Sequence, residues 1–151
     1  MRIKEIETLF QDEENLDAVL NEVKNDIAKV EEWSEMMRDA QTNNPELAKQ
    51  ALSELTGTLG RINTALAVAI SEKRNRETRS YNRIKMETEN AEKKFVSASA
   101  DKQASAEVAE YRRIRNYLQA YHDSCKVAIS SLQSLLKQMQ EEAKLAGKEE
   151  E

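Results

Sequence analysis

The chain has little of what builds small catalytic or cross-linked domains. Its 151 residues include one cysteine, Cys125, and one histidine, His122. One cysteine excludes an intramolecular disulfide, and with one histidine it excludes the usual Cys/His zinc sites. With three glycines, one proline and 5% aromatics, the composition fits long helices far better than any β architecture. No run approaches the roughly eighteen apolar residues of a membrane span, and Met1-Arg2-Ile3-Lys4-Glu5 lacks the apolar core of a signal peptide. A reducing, cytoplasmic setting without a membrane partner is expected. There is no Gly-rich phosphate loop, no nucleophile with a base and no metal-ligand cluster, so neither an enzyme nor a cofactor or metal is expected.

What the chain has in abundance is charge, at 34% Asp, Glu, Lys and Arg with a net of -5. The total hides a segregation. Lys and Arg outnumber Asp and Glu by fifteen to nine between residues 61 and 137, and the remainder sums to minus eleven. The local sign of a surface, more than the overall pI, selects its partners.

The apolar pattern is helical throughout. Ile3, Ile6, Leu9 and Phe10 mark a short amphipathic arm, and Asp12 suits an N-cap. Leu16, Leu20, Val23, Ile27, Val30 and Met37 then form a heptad stripe flanked by Trp33 and Met36, opposite an acidic face of Glu22, Asp26, Glu31, Glu32, Glu35 and Asp39. That face reads as solvated or partner-facing. Gln41-Thr42-Asn43-Asn44-Pro45-Glu46 is the clearest punctuation, with Asn44 as N-cap and Pro45 at the first helical position. Leu47, Leu52, Leu55, Leu59, Ile62 and Leu66 continue a stripe across Gly57 and Gly60, which imply either a bend or a close backbone approach. The small-residue run 97–102 reads as a turn folding 61–96 against 103–139, with partner numbers summing to about two hundred. The next helix, starting between Ser99 and Ser105, carries a seam of Ala104, Val108, Tyr111, Leu118, Cys125, Ile129, Leu132, Leu136 and Met139, with Arg115 and His122 at polar seam positions.

The expected architecture is all-α: a long antiparallel helical hairpin or coiled coil with an added N-terminal amphipathic helix. Its parts are an acidic heptad region (1–43), a hairpin with a basic middle (44–140) and a disordered acidic tail (141–151). Apolar seams on three helices predict a homo-oligomer, with Leu118, Cys125, Ile129, Leu132 and Leu136 as the seam.

Ten residues from Ser71 to Ser80 lack an apolar side chain. A helix polar all round needs ion pairs, an exposed rod or a charged ligand to explain it. Lys73, Arg74, Arg76, Arg79, Arg83 and Lys85 there, with Arg112, Arg113 and Arg115, are the candidate nucleic-acid contacts, because guanidinium forks bind phosphate bidentately. Tyr111, Tyr117 and Tyr121 interleave with those arginines, as in proteins that stack single-stranded bases. Tyr117 lies off the seam and is the stacking candidate, whereas Tyr111 and Tyr121 read as core.

The basic helix, the Ser/Ala-Asp-Lys run and a Tyr-bearing helix leading through Cys125 to Ala128-Ile129 and a Leu/Lys-rich end together resemble the UvsY-type recombination mediators of tailed phages, over roughly residues 60–140. The resemblance implies a small non-enzymatic protein of the host cytoplasm that forms rings and binds single-stranded DNA. It further implies partners in a recombinase and a single-strand-binding protein. The competing expectation is a structural coiled coil, such as a phage assembly chaperone or scaffold, whose charges set only pairing and solubility.

Overall fold

A computed structural model describes residues 3–38 and 44–149, and these are all-helical. In chain order they form α1 (Ile3–Leu9), a 3-10 turn (Glu13–Asn15), α2 (Leu16–Glu22), α3 (Lys24–Arg38), α4 (Pro45–Asn90), α5 (Ser97–Glu107) and α6 (Ala109–Glu149). Asp39 and residues 41–43, which carried part of the acidic face and of the punctuation, lie outside the described residues, as do residues 150 and 151. Two compact units divide the chain, Met1–Glu22 with Thr64–Gln119, and Val23–Asn63 with Ala120–Glu151.

Local chemistry sets the helix starts. The Asp12 side chain accepts from the Glu14 backbone N–H at 3.1 Å. Asn44 Oδ1 accepts from the N–H groups of Glu46 and Leu47, and Pro45 opens α4. Both caps satisfy donors that a helix start leaves open. The heptad stripe is not one helix, however, since α2 and α3 part at Val23, which is itself fully buried.

The turn differs from expectation. α4 ends at Asn90, and residues 97–102 form the start of α5. Glu92 adopts φ 53°, the Glu92 N–H bonds the Glu89 carbonyl and the Lys93 N–H bonds the Thr88 carbonyl, both at 3.1 Å. This is the Schellman pattern with glutamate where glycine is usual. A second break falls at Val108. The Arg112 guanidinium donates to the Ser105 carbonyl at 2.7 Å and to the Ser105 hydroxyl, satisfying the end of α5 before α6 begins. At the far end α6 continues to Glu149, so residues 141–149 are helical rather than a disordered tail. Their Glu, Ala, Lys and Leu content favours helix, and Gln138 bonds Glu142 one turn on.

In the first unit Ile6, Phe10, Leu16 and Val19 are buried to 1% exposure or less, as are Ile114 and Leu118. A smaller cluster gathers Ile84, Ala100 and Ala104, with Tyr81 and Phe95 packed against it edge to face at 5.8 Å. The core of the second unit joins Val30 and Trp33 of α3 to Ala51, Leu55 and Ile62 of α4 and to Cys125 and Leu132 of α6. The Trp33 indole donates to Glu54 at 2.9 Å, the Cys125 thiol donates to the Leu55 carbonyl at 3.3 Å, and burial pushes that thiol's pKa up. Asp26, expected on the solvated acidic face, is 8% exposed and takes Arg61 Nε at 2.7 Å. Glu31 of that face accepts from the Tyr121 hydroxyl. Gly57 and Gly60 bring no backbones together: a Cβ at Gly60 meets nothing within 4 Å, and one at Gly57 meets only the end of Arg61.

These cores correct the seam. Leu118, Cys125 and Leu132 have no exposure within a single chain, while Ile129 and Leu136 are partly buried against the second unit's core. The apolar stripe expected to join copies is filled in cis. Its innermost members include Ile114 and Ala128, which the heptad extension passed over in favour of Arg115 and Ile129.

Candidate nucleic-acid interface

The polar gap Ser71–Ser80 is unbroken helix, ordered by contacts within the first unit. Lys73 pairs with Glu77 at 2.8 Å and Arg76 approaches Glu72 at 3.8 Å, each one turn apart. Arg76 also donates to the carbonyls of Phe10 and Gln11 at 3.0 and 2.7 Å, just past the end of α1, where the helix dipole favours a cation. Its guanidinium carbon lies 4.5 Å from the Tyr111 ring centroid. Tyr111 is 2% exposed, and burial raises its hydroxyl pKa.

Most of the other expected contacts are likewise partnered. Arg83 forms a bidentate pair with Glu107 and a further pair with Glu87. The hydrogen bond from Arg83 holds the Glu107 carboxyl below its ordinary pKa. Arg113 meets Asp17 at 2.6 Å and Glu110 at 3.0 Å, and its own pKa is raised by them. Arg112 is engaged with Ser105, and Lys85 lies over the Phe95 ring at 5.7 Å. Arg115 Nε is buried without a hydrogen-bond partner. Arg74 and Arg79 are exposed and make no ion pair among the described residues, and Tyr117 is 49% exposed.

The expected register of about two hundred is overturned, and the cations of α4 do not share a face. At 100° per residue Arg74 and Lys85 share one direction on α4 and Arg76 with Arg83 another, about 160° around the helix, so the six cations are not one face. The contacts Arg83–Glu107 and Arg76–Tyr111 also place partner numbers near 190, because the turn lies at 91–96. Arg112, Arg113 and Arg115 therefore stand beyond Arg76 towards Glu72, not beside Arg83 and Lys85.

No protein-family model matches the chain, nor does any curated protein or solved structure. Residue chemistry is thus the guide to the site. Between Ser71 and Met86 the exposed side chains include Arg74, Asn75, Thr78, Arg79, Asn82 and Lys85, and none is a carboxylate. The two acids of the stretch, Glu72 and Glu77, are half-buried and paired. A small cleft of about 240 Å³ beside Arg74 does contain Glu77 and Asp101, so acids border the stripe on the α5 side. No group of three or more His, Cys, Asp or Glu among the described residues is placed to hold a metal ion, and no described helix is long and apolar enough to cross a membrane.

The one-turn spacing of Lys73–Glu77 and Glu72–Arg76 is the signal from which those pairs could have been named, although neither was among the expectations. Sequence spacing had no signal for Asp17 as the partner of Arg113, 96 positions away, or for the carbonyls that hold Arg76.

Proposed function

We propose that the protein is a non-enzymatic, single-stranded-DNA-binding protein of the recombination-mediator kind, with the outward face of α4 between Ser71 and Met86 as the strand track. The observation that carries this reading is the charge segregation there. In a chain of net charge -5, that stretch exposes cations, neutral hydrogen-bonding side chains and, at its end, Met86, and no carboxylate. It extends for about 22 Å, enough for several phosphates.

On this stretch Arg74, Arg79 and Lys85 have no carboxylate partner among the described residues. Arg79 lies about 120–140° around the helix from the other two, so the track is a broad arc edged by cations on both sides. Three phosphate contacts correspond to a salt slope of about 2 for single strands. A single track of that strength binds weakly. A homo-oligomer would repeat it and gain avidity. Because Leu118, Cys125 and Leu132 are filled in cis, assembly in this reading uses other surfaces. The hairpin relation of α4 to α5 and α6 and the cytoplasmic setting belong to the same proposal and rest on the sequence pattern, while a recombinase or single-strand-binding partner rests on the family resemblance.

The scaffold reading has its own support, since Arg76, Arg83 and Arg113 each pair with a carboxylate within the chain. Fluorescence anisotropy of a labelled oligo-dT strand at low and moderate salt separates the two. The parent should bind with a marked salt dependence. The triple variant Arg74→Ala, Arg79→Ala, Lys85→Ala should lose about two units of slope with its helicity intact, alanine being the best helix former. No binding at low salt hands the assignment to the scaffold, and parental affinity in the triple variant at every salt concentration refutes the α4 stretch as the strand track.

A further inference from the structure

We infer that Asp17 is an electrostatic gate on a second strand contact, made by Arg113 and Tyr117 of α6. The inference rests on the strand-binding reading and adds a site to it. Arg113 and Tyr117 are one helical turn apart, with the guanidinium carbon 5.9 Å from the ring centroid. Tyr117 is 49% exposed and makes no other ring contact among the described residues. A cation beside an open aromatic face is what holds one nucleotide of a single strand, the phosphate on the guanidinium and the base on the ring.

Two carboxylates occupy the guanidinium instead. Asp17 Oδ1 lies 2.6 Å from Arg113 Nη2, and Glu110 Oε2 accepts from Arg113 Nε at 3.0 Å. They differ in what holds them. Glu110 sits on α6 itself, three residues from Arg113. Asp17 reaches across from α2, and its side chain is 80% exposed. An ion pair that open to water contributes little and exchanges readily, whereas a phosphate offers the same fork geometry. The neighbours Leu16 and Val19 are fully buried, so α2 stays anchored while the carboxylate swings off. A strand arriving at α6 therefore displaces one exposed aspartate, with Glu110 left on Arg113, and disturbs no core contact. The acidic N-terminal third acts on this contact through Asp17.

The test is the same oligo-dT titration with Asp17→Asn, in the parent and in the α4 triple alanine variant. Neutralising the gate should tighten binding roughly two- to fivefold and raise the salt slope by about 0.7 in both backgrounds. Arg113→Gln, combined with Asp17→Asn, should abolish the gain, and Tyr117→Ala should reduce it. Unchanged affinity and slope on Asp17→Asn would overturn the gate. So would an equal gain in the presence of Arg113→Gln, which would mean a general loss of negative charge. A gain that persists in the triple variant supports the gate even where that variant has refuted the α4 track.

Discussion

Leu132→Ala tests whether the apolar stripe of α6 is a core within one chain or a seam between chains. Leu132 has no exposure, in a cluster with Val30 and Trp33 of α3 and Leu55 of α4. Truncating a fully buried leucine costs about 2–5 kcal/mol through lost transfer energy and the cavity left behind. For a chain of this length each kcal/mol corresponds to about 2–4 °C, so the melting temperature should fall by very roughly 5–20 °C. Circular dichroism melts at several protein concentrations measure this, alongside light scattering of the folded protein. A cis core requires the gap between parent and variant to be the same at every concentration, and the mass of the folded variant to equal the parent's, because mass action enters only where a contact joins copies. A gap that closes with increasing concentration, or a variant that stays helical but loses mass, would refute the cis assignment and restore Leu132 to an oligomer seam.

Two further outcomes follow from the turn and from the ion pairs. Glu92→Gly should raise stability by about 0.5–1 kcal/mol in a chemical melt, since glycine removes the Cβ penalty at φ 53° while adding some unfolded-state entropy; a loss would mean that the Glu92 side chain contributes more than its backbone costs. The carboxyls of Glu107, held by Arg83, and Glu54, held by Trp33, both titrate below their ordinary value. A depressed carboxyl stabilises the fold above its unfolded pKa and loses that contribution as pH falls through its folded one. Stability should therefore decline on acidification below the ordinary carboxylate range, and Glu107→Gln should flatten that decline, as followed by melts across acid pH.

The helical class and its starts were legible because they depend on near neighbours. Asp12 and the Asn44-Pro45 pair carry their own chemistry, and the fold uses both. The turn was illegible for the opposite reason. The left-handed position is filled by Glu92, so no glycine announced it, and the small residues of 97–102 drew the expectation six residues downstream. Every later pairing inherited that displacement. Val108 likewise hides a helix break behind an apolar residue that fits the stripe. At the candidate site the cations were visible but their tenants were not. Arg76 and Arg113 are held by residues 66 and 96 positions away, beyond the reach of one-turn spacing rules.

The polar gap of α4 also fixes a phase. At one end Arg76 is keyed to the carbonyls of Phe10 and Gln11; at the other, Ile84 is keyed to Ala100 and Ala104. Only helix geometry connects these two locks. Removing one residue between them rotates one lock against the other by about 100° and shortens the span by about 1.5 Å, whereas inserting seven leaves the faces about 20° apart. Outward positions such as Asn75 and Asn82 are thus open to substitution, while the residue count between Arg76 and Ile84 is not. In an evolving lineage the neutral outward letters of this segment would drift more readily than its length, which would stay constant or change by whole heptads together with the helices that oppose it.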